Sequence, residues 1–126
     1  MKVHPYQTIA DQFCREFNLP AIQVVFLSKL SEPCAVGEFF YGLYYRMTEP
    51  EKCPPFFGTR EYMIELLHYS TPCTLIHELA HHLQYTQLKR KPEWLTHGRH
   101  FKRCEQEAKK WVIDFWHKSC MLKKHD

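Results

Sequence analysis

Ile9, Phe13 and Phe17 recur every four positions with polar residues between them, which predicts an amphipathic helix over 5–17, ended by Asn18-Leu19-Pro20. The run Ile22-Gln23-Val24-Val25-Phe26-Leu27 is branched, aromatic and too short for an ordinary helix, so it predicts a strand. Residues 36–45, with Phe39, Phe40, Tyr41, Leu43, Tyr44 and Tyr45 around Gly37 and Gly42, predict a second strand, with Gly42 at a bulge or a close approach. Pro50, Pro54, Pro55 and Gly58 make 47–60 a loop. Over 61–68, Tyr62, Ile64 and Leu66 alternate with Met63, Glu65 and Leu67, which predicts a third strand. Thr71-Pro72 starts a helix, because Thr can cap free amides and Pro suits the first helical position. Leu75, Leu79 and Leu83, beside Ile76 and Ala80, form the buried stripe of that helix, which runs to about residue 89 ahead of Pro92. Phe101, Cys104, Ala108, Trp111 and Phe115, at steps of three and four, predict a last helix over about 96–118. The expected fold is α+β: an N-terminal helix, a three-stranded sheet and two C-terminal helices, without internal repeats.

The chain has 126 residues, 44% of them hydrophobic and 15% aromatic, which suits one domain over 1–126 with one core. No run approaches the roughly 20 apolar residues needed to cross a bilayer. Met-Lys-Val-His-Pro-Tyr-Gln lacks the apolar stretch of a signal peptide, so the expected setting is intracellular, in cytoplasm, nucleoid or nucleus, without a membrane partner. Six cysteines form no Cys-x-x-Cys pair, which argues against a zinc ribbon or redox motif and predicts reduced, mostly buried thiols. Charge is uneven: from Lys89 onward 11 Lys and Arg face 5 Asp and Glu, although the whole chain carries only +3. Lys89, Arg90, Lys91, Arg99, Lys102 and Arg103 are therefore candidates for a weak nucleic-acid contact through charge, against the plainer reading of a solvated helix face.

The chemistry concentrates in His77-Glu78-Leu79-Ala80-His81. A four-residue step turns about 400° around a helix, so both imidazoles project from one face and can meet a single metal ion. Glu78 beside them can take a proton from water activated at that metal without being a ligand. Two unrelated surface histidines are the bland alternative. A catalytic zinc takes three protein ligands and leaves a fourth position open, so a third ligand must come from downstream, with His97, His100, Glu105 and Glu107 as candidates. Gln84 and Gln87 occupy the places of the glycine and last histidine of the extended His-x-x-Gly-x-x-His motif, which excludes that form.

His77-Glu78-Leu79-Ala80-His81 followed, sixteen residues on, by His97-Gly98-Arg99-His100-Phe101 resembles the SprT-like metalloproteases, a family that includes Spartan. The likeness covers about 60–105 well and the rest of the chain loosely. It implies a small zincin-like domain, one Zn2+ per chain held by His77, His81 and His97, Glu78 as general base, and a protein or peptide substrate. It also implies that Gly98 permits the turn into the last helix and that Phe101 anchors it. Glu105 ranks behind His97 as third ligand. His100 and Tyr85 are candidate substrate or transition-state contacts, and His82 borders the same helix. The third strand, over 61–68, is expected to offer an edge to an extended peptide. Larger relatives add a zinc ribbon and DNA-binding segments that this sequence lacks, so action on DNA-associated proteins, as in DNA–protein crosslink repair, is the weaker part of the implication. A non-catalytic zinc-binding adaptor and a nucleic-acid-binding module remain the alternatives.

Overall fold

The first helix shows how local sequence sets the boundaries. In α1 (Pro5–Glu16) proline occupies the start, and the His4 Nδ1 accepts the Tyr6 amide at 3.1 Å as a cap. At the other end Asn18 takes a left-handed φ of 55°. The Asn18 amide then donates to the Arg15 carbonyl and the Leu19 amide to the Cys14 carbonyl, a Schellman closure. The structure, a computed structural model, describes residues 4–28, 42–46, 62–88 and 97–124.

After α1 come β1 (Ile22–Leu27), β2 (Gly42–Arg46), β3 (Tyr62–Leu67), α2 (Pro72–Leu88) and α3 (Arg99–Lys124). The α+β class read from the sequence holds. Residues 36–41 of the expected second strand, the 47–60 loop and Lys89 to Thr96 lie outside the described residues. The last helix runs on past the expected end at 118 to Lys124, because no proline or glycine interrupts the sequence there.

The strands are ordered β1-β3-β2, with β1 parallel and β2 antiparallel to β3, so that Val24 and Tyr44 flank Ile64. This corrects the expectation that 61–68 offers a binding edge. Paired on both sides, β3 has its amides and carbonyls committed to neighbours. All six of its residues are buried, Met63 and Glu65 as fully as Ile64 and Leu66, so its alternation does not separate a wet face from a dry one.

The sheet's two ends differ. Along β1, the buried Gln7 of α1 donates its amide to the Ile22 carbonyl at 2.9 Å and accepts the Val24 amide at 2.7 Å. Over Ile22 to Val24 that side is thereby satisfied by one side chain standing in for a strand. Among the described residues β2 is the last strand on the other side, and it abuts α2.

Helices and sheet share one core. Ile9, Ala10 and Phe13 of α1, Leu75, Leu79 and Leu83 of α2, and Phe101, Cys104, Ala108 and Val112 of α3 meet Ile22, Val24, Tyr44, Ile64 and Leu66. Each large apolar side chain buried in this way contributes about 1.5–3 kcal/mol against exposure. Anchoring α2 and α3 in the same core is what gives the exposed rims of those two helices a fixed relation to each other. Among the described residues no helix is long and apolar enough to cross a membrane.

Candidate metal centre

α2 places Leu75, Leu79 and Leu83 inward, so the residues two positions after each of the first two, His77 and His81, emerge one turn apart on the side facing α3. Their ring centroids are 4.9 Å apart. α3 begins at Arg99 with the Gly98 carbonyl accepting the Lys102 amide, and His97 sits just ahead of that turn. The His97 ring centroid lies 5.0 Å from that of His77 and 4.9 Å from that of His81. Phe101, in the first turn of α3 and buried, brings its ring centroid within 4.5–4.9 Å of all three imidazoles, edge-on to His77 and His97 and tilted to His81.

One nitrogen from each of the three rings falls within 4.8 Å of the others, close enough to bind a metal ion. The tightest pair is Nε2 of His81 and Nε2 of His97, at 3.1 Å. In a tetrahedral site with Zn–N bonds of about 2.0–2.1 Å, ligand nitrogens stand roughly 3.3 Å apart, so this pair is near that spacing and no separation needs to contract by more than about 1.5 Å. The exposed position of His97 makes such an adjustment cheap.

Protonation states suit the same purpose. Burial pushes the His81 imidazole down to about 4, helped by the neighbouring His77 and His97 and opposed by a hydrogen bond to Gln84. Burial, with His77, also lowers His97, while Glu105 opposes the shift. Both rings are thus held neutral at pH 7, the form that binds metals.

Glu78 lies behind the trio, only 5% exposed. Burial pushes its carboxyl up to about 8, the direction that makes a carboxylate a better base near neutral pH. It sits against the start of β2. A Cβ on Gly42 would come within 3.2 Å of Glu78 Cγ, 2.9 Å of Thr74 Cγ2 and 3.0 Å of Leu66 Cδ2. Glycine at 42 is therefore the close approach expected from the sequence, and it lets β2 lie close against the Glu78 side chain.

The remaining candidates have other partners. His100 Nε2 donates to Gln87 Oε1 at 2.7 Å and its Nδ1 lies 3.9 Å from Cys104 Sγ, so it ties the start of α3 to the end of α2. The Tyr85 ring packs on Tyr62, centroids 5.7 Å apart. Glu105 stands outside the trio, with Oε2 at 3.2 Å from His77 Nδ1. Arg99, Lys102 and Arg103 are exposed on the first turns of α3, whereas Lys89, Arg90 and Lys91 lie outside the described residues. Cys14 and Cys104 are buried, whereas Cys73 is exposed.

His82 carries a role that the sequence did not suggest. Fully buried, it lies 2.8 Å through Nε2 from the Pro20 carbonyl and 2.8 Å through Nδ1 from the Tyr44 hydroxyl. A carbonyl only accepts, so Nε2 carries the proton and Nδ1 accepts from tyrosine. His82 thus joins α2 to β2 and to the turn before β1, on the side of α2 turned away from the metal centre. Position alone was the available signal, since adjacent helical residues point about 100° apart and His81 and His82 cannot serve the same face.

Burial pushes the His82 imidazole down from 6.5 to about 4, against the opposing hydrogen bond to Pro20. The unfolded chain binds this proton near pH 6.5 and the folded chain only near 4, so the stability is fully present above 6.5 and is lost as pH falls between those values. The share of His82 in that loss is about 1.4 kcal/mol per pH unit within the window, beside that of His81, whose imidazole is lowered over the same range. Denaturant midpoints of the metal-free protein at pH 7 and pH 5 check it. His82→Gln, which can bond to both partners but takes up no proton, should flatten the slope; an equally steep slope in that variant would assign the acid sensitivity elsewhere.

Comparison with known proteins adds no relative: no family model, no curated protein and no solved structure matches this chain.

Proposed function

We propose that the protein is a zinc-dependent endopeptidase of the SprT-like kind, a small zincin-like domain hydrolysing protein substrates. One observation carries this reading: three imidazoles from α2 and the segment leading into α3 converge, and Glu78, next in the chain to one of them, is buried with its side chain close to Gly42 of β2. The donor set fits zinc, which takes nitrogen ligands in tetrahedral geometry and leaves a fourth position open when only three come from the protein. When bound, zinc supplies Lewis acidity, lowering the pKa of water from 15.7 to about 7 and polarising a carbonyl.

The chain's own residues provide the rest. His77, His81 and His97 hold the ion, and Phe101 keeps their rings from turning away. Glu78 takes a proton from the attacking water and returns it to the leaving amine, one carboxylate serving as base and then acid. β2, the outermost strand among the described residues on the Glu78 side, would hold the peptide extended by main-chain hydrogen bonds. Such pairing reads backbone rather than side chains, which favours an unfolded protein segment over a small molecule. Arg99, Lys102 and Arg103, close behind His97, support a weak phosphate contact near the site and so substrates associated with nucleic acid.

Metal analysis of the purified chain, paired with casein and histone digestion, tests the reading. One zinc per chain is expected, with digestion abolished by chelation and restored by zinc. Stoichiometric zinc without cleavage of either substrate would turn the reading into that of a metal-binding adaptor.

A further inference from the structure

The two helix histidines are each held by their outer nitrogen. Glu105 Oε2 lies 3.2 Å from His77 Nδ1, and Gln84 Oε1 lies 3.2 Å from His81 Nδ1. A carboxylate and an amide oxygen only accept, so in both rings Nδ1 carries the proton and Nε2 keeps its lone pair. That leaves the Nε2 atoms as the donors for a shared ion, in agreement with the approach of His81 Nε2 to His97 Nε2.

Glu105 reaches His77 because α3 places it one turn beyond Phe101, the residue under the imidazoles, and two turns beyond His97. It is the anionic member of the pair, and its side chain is 41% exposed, so its loss leaves the core untouched. Gln84 is buried at 2% exposure, on the same helix as the ring it holds. Gln84 is woven into the interior, whereas Glu105 is free to act on the site alone.

We infer that Glu105 is a positioning residue that fixes the tautomer and orientation of His77, with Gln84 doing the same for His81, and that it is not a metal ligand. The inference rests on the metal-centre reading above and assigns Glu105 a place in it. A carboxylate on the far nitrogen also strengthens the near one as a donor, and partners of this kind are commonly worth about 10–100-fold in metal affinity.

The test uses the full chain in two states. In the metal-free protein, nitrogen NMR of labelled histidine reads the tautomer. His77 should carry its proton on Nδ1 in the wild type and in Glu105→Gln, whose amide oxygen still accepts, and should lose that preference in Glu105→Ala. Zinc affinity is then measured by competition with a chromophoric chelator. Glu105→Ala should bind about 10–100-fold more weakly, and Glu105→Gln should recover part of the loss. Unchanged tautomer together with unchanged affinity in Glu105→Ala would overturn the inference. So would a loss of zinc in Glu105→Ala as deep as that of His97→Ala with the tautomer undisturbed, since that pattern belongs to a ligand. A wild-type chain that takes up no zinc but keeps the His77 tautomer would refute the metal reading and still uphold the pairing.

Discussion

Glu78→Gln is expected to lower casein hydrolysis by about 10²- to 10⁴-fold, the range that a positioned general base contributes, while zinc remains bound at one ion per chain. The asymmetry follows from where Glu78 sits. It is adjacent in sequence to a ligand but outside the trio of converging nitrogens, so removing its charge takes nothing from the coordination set. Gln has nearly the same shape, and the close contact with Gly42 is therefore kept. Burial raises the Glu78 carboxyl to about 8, so the folded protein bears a cost for its charge that an amide does not. The variant should consequently be at least as stable as the wild type in its metal-free form. Parallel metal analysis, thermal unfolding and digestion assays separate these effects. Hydrolysis at the wild-type rate would remove Glu78 from the mechanism, and loss of zinc together with activity would make it a part of the metal shell.

The helices were legible in the sequence because their signals are local. Pro5, Asn18 and Pro72 mark ends, and the apolar spacing of Leu75, Leu79 and Leu83 marks the buried side, whereas the last helix begins at Arg99 rather than near 96. The convergence of His77 and His81 followed from helical geometry alone, and the place of His97 was implied by resemblance to a motif rather than derived. The strand order was not legible, because which strand lies in the middle depends on contacts between segments distant in sequence. The alternation over Tyr62 to Leu67 carried no sign that both faces are covered, and Glu65 lies fully buried in the central strand. The partners of the histidines were likewise hidden. Gln84 and Gln87 registered only as missing residues of another motif, while in the folded chain they hold His81 and His100. Polar contacts of this kind are set by side-chain direction across two packed helices, which a linear pattern does not encode.

His97→Ala should weaken zinc binding by more than the about 100-fold that loss of an outer partner can cause, and it should abolish hydrolysis with it. His77 and His81 alone form a two-coordinate site on one helix, and without a ligand from the segment ahead of α3 nothing closes the coordination sphere on the protein side. The effect on the metal-free fold is expected to be small, within about 0.5 kcal/mol, as for other surface substitutions, because His97 is exposed while the Phe101 beneath it stays buried. That separation makes the measurement clean. Equal unfolding midpoints for the metal-free wild type and variant, combined with a collapse in zinc affinity, assign the loss to coordination. Metal should also raise the wild-type midpoint much more than that of the variant, since a ligand that binds only the folded state stabilises in proportion to its affinity. If His97→Ala binds zinc as the wild type does and Glu105→Ala does not, the third ligand is the carboxylate, and the hydrogen bond between Glu105 and His77 gives way when the ion enters.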